Sequence, residues 1–135
     1  MQNLEPVGLH SAIDVDEFVS ESTSATIIDS HTFRDGEWRA LTMQENTASG
    51  ITKCVVPVDI SSAQFLVMTE VAPRTAVESH RHGEPILRLV VSGSLTLNGT
   101  EYRTGDWVYV PAGVDYRIDT EAGYTTVAGY GVPCD

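Results

Sequence analysis

The sequence predicts an all-β fold, an antiparallel sandwich or barrel with at most one or two short helices. Three observations carry this reading. From residue 25 onward apolar and polar residues alternate with a period of two. The alternating runs are rich in Val, Ile, Thr and aromatics, and Gly, Pro, Asn or Ser interrupts them at a spacing of roughly 8 to 12 residues.

In chain order, Asp14 followed three residues later by Glu17 has the form of a helix start ahead of Val15, Phe18 and Val19, which gives one short helix. Strands are then expected at 25–29, 37–41, 51–57, 64–71, 76–82, 86–91, 94–102, 106–111, 116–119 and 124–129. The clearest hairpin turns at Asn98-Gly99, a pair that supplies the two positive φ angles of a type I′ turn. With no repeat or linker in 135 residues, a single domain over 1–135 is expected, its barrel at about 37–131 and residues 1–36 as an N-terminal extension.

Composition removes several function classes. Nineteen Asp and Glu against eight Lys and Arg leave a formal charge of -11, which repels phosphate backbones and anionic lipid heads, so neither nucleic acid nor a membrane is an expected partner. No stretch approaches the ~20 apolar residues of a membrane span, and the acidic start of the chain lacks the basic and apolar regions of a signal peptide. A cytoplasmic protein is expected. Cys54 and Cys134 suggest neither CxxC chemistry nor a disulfide framework, and Lys53 is the only lysine available for Schiff-base chemistry.

The residues that carry chemistry begin with His80 and His82. One residue apart in a strand, they place both imidazoles on one face, close enough to share a metal ion, although two histidines alone also read as a surface pair. Downstream come Gly93, the Asn-Gly hairpin, and a strand entered at Gly105 and left at Pro111-Ala112-Gly113.

These residues resemble the two motifs of the cupin superfamily, small jelly-roll β-barrels, written G-x5-H-x-H-x3,4-E-x6-G and G-x5-P-x-G-x2-H-x3-N. His80, His82 and Gly93 match the first in register, and Gly105, Pro111 and Gly113 match the second. The resemblance is close over 73–120 and holds in outline for the flanking strands. It implies a metal held by four residues of these motifs, yet Arg74 stands at the first glycine, Ile86 at the glutamate, Tyr116 at the last histidine and Thr120 at the asparagine. Only two of the four usual ligands remain.

Several residues could complete the site. Glu84 would join the face of His82 in an extended chain, whereas Gly83 and Pro85 suggest a turn that swings it into solvent. Tyr116 could ligate a metal as phenolate or hydrogen-bond as a neutral phenol, and its neighbour Asp115 should face outward. Arg88 shares the inward face with Ile86 and Val90 if the register holds. It then pairs with an internal acid such as Glu70 or Glu84, or grips the carboxylate, phosphate or enolate of a substrate; a shifted register would instead put it on the surface. Trp107, Tyr109, Phe65 and Met68 could line an apolar pocket or serve as core, Glu78 could act as a base or sit exposed, and His10 and His31 have no assigned place.

Two functions follow. The first is a small-molecule enzyme in which His80, His82 and Glu84 hold a divalent metal (Fe, Mn, Zn or Ni), with Tyr116 and Arg88 as catalytic groups. The resemblance then implies a dioxygenase, isomerase, lyase or cyclase. The second is a metal-free ligand-binding or cyclase-type barrel with Arg88 and Tyr116 as polar anchors. A sensor or structural subunit acting by association is a third reading. The expected partner is a small anionic or enolisable substrate, no organic cofactor is expected, and a homodimer is expected from the resemblance and from the apolar segments 25–29 and 51–58.

Overall fold

The computed structural model describes residues 4–6, 26–44 and 49–131. Strand β1 (Ile28–Asp29) is followed by a tight turn (Phe33–Gly36), helix α1 (Trp38–Thr42), and strands β2 (Phe65–Val71), β3 (Thr75–His80), β4 (Ile86–Leu97), β5 (Thr100–Arg103), β6 (Trp107–Val110), β7 (Tyr116–Thr120) and β8 (Tyr124–Tyr130). All pairings between strands are antiparallel. The first half of β4 lies between β6 and β8, and its second half lies between β5 and β7. Beyond these, β1 adds to β6, β2 to β8 and β3 to β7. Two layers, β1-β6-β4-β8-β2 and β3-β7-β4-β5, therefore share β4 and enclose one interior, an antiparallel β-barrel.

The crossing of β4 from one layer to the other needs Gly93. Its φ is +75°, and a Cβ there would lie 2.1 Å from the Gly123 carbonyl oxygen. No side chain fits so close to that backbone. The Asn98-Gly99 turn between β4 and β5 has both residues at positive φ, as the type I′ hairpin requires.

Alternation sorts the side chains into two clusters. Val90, Leu95, Leu97, Tyr102, Val108, Val110, Tyr116, Ile118 and Tyr124 fill the interior. On the outer face of the first layer, Leu87, Trp107 and Tyr109 pack with Trp38 and Val58, under a covering segment that includes Phe33, Cys54 and Val56. Strand β6 is thus buried on both faces, which accounts for its continuous Trp-Val-Tyr-Val run.

Three expectations are corrected. Residues 37–41, read as a strand, lie at helix α1, because Trp38 and Thr42, four residues apart, both turn inward on one helical face. Residues 51–57 form no strand and make one isolated bridge, Met43 to Cys54, with Val56 and Val58 packed on the outer face of the barrel. The two strands expected at 86–91 and 94–102 are β4, continuous through Gly93, and β5. The helix expected after Asp14 lies outside the described residues, as do His10 and Cys134. No helix among the described residues is long and apolar enough to cross a membrane.

Candidate functional site

Strand β4 turns Ile86, Arg88 and Val90 into the barrel and Leu87 and Leu89 outward. That register buries Arg88, which is 5% exposed. Its guanidinium donates from Nη1 to Thr126 Oγ1 at 3.4 Å and from Nη2 to the Tyr116 hydroxyl at 3.3 Å. No Asp or Glu among the described residues pairs with it, so neither Glu70 nor Glu84 is its counter-ion. Its positive charge also reaches Tyr124, whose phenol burial pushes up while Arg88 acts in the opposite direction.

The same Tyr116 hydroxyl lies 2.8 Å from His82 Nε2. With Arg88 donating into the phenol oxygen, the phenol O–H is placed to donate to the imidazole. His80 pairs across to Tyr116 in the β3–β7 ladder, where a bulge between Val77 and His80 re-aims the chain. The His80 ring lies 4.5 Å from the Tyr116 ring and 5.1 Å from that of His82. Its Nδ1 donates to the Glu78 carbonyl at 2.9 Å, which leaves Nε2 with the lone pair in the neutral ring. His80, His82, Tyr116 and Arg88 therefore come together.

Glu84 lies in the bend between β3 and β4. Its Oε2 is buried without a hydrogen-bond partner, and with His82, Pro85, Ile86, Tyr130 and Gly131 it lines a cavity of about 10 Å³, room for a single water-sized group. The Tyr130 ring meets the His82 ring at 5.7 Å, nearly edge-on. Thr126 and Tyr130 escaped sequence reasoning. They share one face of β8, and Thr126 reaches the site through the β4–β8 pairing, which no local pattern announces.

The remaining candidates lie elsewhere. Trp107 and Tyr109 belong to the outer cluster, and Phe65 and Met68 are 41% and 67% exposed, so none lines an inner pocket. Glu78 and Asp115 are exposed, the latter 3.4 Å from Arg81. His31 holds Asp106 at 3.0 Å and stacks on Tyr102, where it ties β1 to β6.

The donor set does not fit a resident divalent metal. Among the described residues no three His, Cys, Asp or Glu side chains are grouped to hold one. His82 Nε2 is engaged by Tyr116, Ile86 offers no donor, and the Tyr116 oxygen already bears a guanidinium. A unit charge and a dication repel by roughly 4 kcal/mol at 8 Å with an effective dielectric of about 20, and by more when closer. What the arrangement can do is stabilise negative charge on an oxygen and pass a proton between phenol and imidazole.

Among curated proteins no sequence matches this chain. Solved structures resemble it in fold. One is a protein of unknown function with a cupin-like fold from Ralstonia eutropha JMP134, with 16% identity, 51% of this chain and 47% of that one covered, and a TM-score of 0.45. A second is the Rhodobacter sphaeroides SigE complex with the anti-sigma ChrR, with 18% identity, 47% and 36% covered, and a TM-score of 0.44. A third is a predicted oxalate decarboxylase from Thermotoga maritima, with 20% identity, 50% and 64% covered, and a TM-score of 0.43. The chain spans less than half the length of the first two. Residues 30–129 match the ChrR cupin-like domain, and with that match added to the barrel and the in-register glycines and histidines, the chain belongs to this branch of the cupin superfamily.

Proposed function

We propose that Arg88 binds a small carboxylate or enolate without a metal once the side chains around the one-water cavity beside His82 and Glu84 move aside to admit it, and that Tyr116 and His82 move a proton at the bound oxygen. The observation that carries this reading is the buried guanidinium of Arg88, held by two hydroxyls and, among the described residues, by no carboxylate. A planar monoanion offers the fork of donors two oxygens at once, which two long bonds to hydroxyls do not. The Tyr116–His82 contact supplies the acid/base pair beside it.

Pyruvate is a suitable probe, since it combines a carboxylate with an enolisable methyl group. Calorimetry should detect pyruvate binding to the wild type, and Arg88→Met should weaken it by about tenfold or more. Deuterium exchange into the methyl group, followed by NMR, should be accelerated by the wild type and lost in Tyr116→Phe and in His82→Ala. Binding without exchange would reduce the site to a ligand-binding module. Equal affinity for the neutral methyl ester would sink the anion reading.

A homodimer remains part of the proposal, with a changed basis. Residues 51–58 cover the barrel rather than offer an edge, whereas β2 pairs with β8 alone among the described strands and keeps its other edge open. A monomeric mass by light scattering at micromolar concentration would count against it.

A further inference from the structure

We infer that Arg88 stands in for a metal cation, so that this site is closed to divalent metals by built-in charge as well as by missing ligands. The guanidinium bonds the oxygen of Tyr116, and that oxygen also holds His82 Nε2. The cation is thus joined to the imidazole through one atom. It is also pinned from the other side by Thr126 on β8, and the small side chain of Ala128, directly across from Arg88 in the ladder, leaves the guanidinium its space. Held at both ends and buried, the charge cannot withdraw into solvent when a second cation approaches.

Ligand loss alone makes a different prediction from charge. If Ile86 and Tyr116 were the whole obstacle, restoring a carboxylate and an imidazole at those positions would restore binding. With Arg88 in place, a carboxylate at position 86 lies two residues away on the same inward face, where it can pair with the guanidinium instead of a metal. Removing the guanidinium should therefore matter more than adding donors. The inference stands apart from the ligand reading, because metal content and pyruvate binding are measured separately and can fail separately.

The test compares four untagged proteins: wild type, Arg88→Met, Ile86→Glu/Tyr116→His, and the triple variant that combines them. Each is titrated with Co(II) by visible absorption, and zinc per chain is measured after dialysis. The wild type should retain less than about 0.1 zinc per chain, and the triple variant should bind Co(II) at least about tenfold more tightly than the double variant. Arg88→Met alone should gain over wild type through His80 and His82, a comparison that holds even if the triple variant does not fold. Zinc retained stoichiometrically by the wild type would overturn the inference. So would a double variant that binds as tightly as the triple, or an Arg88→Met that binds no better than wild type.

Discussion

The guanidinium of Arg88 has lost most of its hydration and regained two hydrogen bonds, both longer than the usual range for charged donors. Removing a buried charge that has no acidic partner among the described residues relieves its desolvation cost, while Thr126 loses one hydrogen bond worth about 1 kcal/mol and the Tyr116 hydroxyl keeps its contact with His82. Arg88→Met should therefore leave urea stability within about 1 kcal/mol of wild type or raise it. A loss of more than about 3 kcal/mol would mean that the guanidinium is paired within the fold. The inward direction of Arg88 followed only from counting by twos from the position that the cupin resemblance assigns to a glutamate, with a shifted register left open, because Ile86, Leu87, Leu89 and Val90 are apolar on both faces. Its partners were not legible, since Thr126 and Tyr116 reach it through pairings between strands that no local pattern encodes. Glu84 shows the same limit, because its turn was legible while the burial of Oε2 against Gly131 was not.

At the scale of elements, β4 and β1 are held by different means. Strand β4 depends on backbone geometry at Gly93. An alanine there would meet the Gly123 carbonyl and take a left-handed φ, so Gly93→Ala should cost about 3 kcal/mol or more by chemical denaturation. A near-neutral outcome would show that the crossing relaxes freely. Strand β1 has only two residues and depends on side chains. Asp29 accepts from the His31 and Thr32 amides, the Thr32 hydroxyl and the Tyr102 hydroxyl, while Asp106 accepts from the Ser30 hydroxyl, His31 Nε2 and the Arg103 amide. Burial raises the Asp106 carboxyl, but the Arg103 amide, His31 and Ser30 outweigh it and hold it below the usual carboxylate value. A carboxyl lowered in the folded state contributes stability above its unfolded value near 3.9, and that contribution is lost as pH falls through the lower folded value. Hydrogen-exchange protection at Ser30 should therefore drop below about pH 4 ahead of protection in β4, and Asp106→Asn should remove that step. Simultaneous loss in both strands would refute a local tether. Why 37–41 misled is also an element-scale matter. Five residues are too few to separate a period of two from one of 3.6, and Trp38 packs on Trp107, about half the chain away.

At the scale of the whole molecule, the charge of -11 acts on every folded property at once. At a net charge of -11 over 135 residues, like charges lie closer together in the folded chain than in the expanded one, so the folded state is the one that screening favours. Raising sodium chloride from about 20 to about 300 mM should increase the melting temperature by roughly 3–5 °C, the shift that about 1 kcal/mol produces in a domain of this size. Anion binding at Arg88 would act in the same direction, because any ion that binds only the folded state stabilises it. The two causes separate in Arg88→Met. Global screening leaves the salt slope nearly unchanged in that variant, since one charge in the net balance has moved from -11 to -12. A specific anion site removes most of the slope and makes it depend on which anion is added. Because chloride lacks the two-oxygen fork that suits a guanidinium, the retained slope is expected with chloride, and an additional stabilisation confined to wild type is expected with a small carboxylate such as acetate. If acetate and chloride stabilise wild type and Arg88→Met alike, the buried guanidinium does not recognise carboxylates.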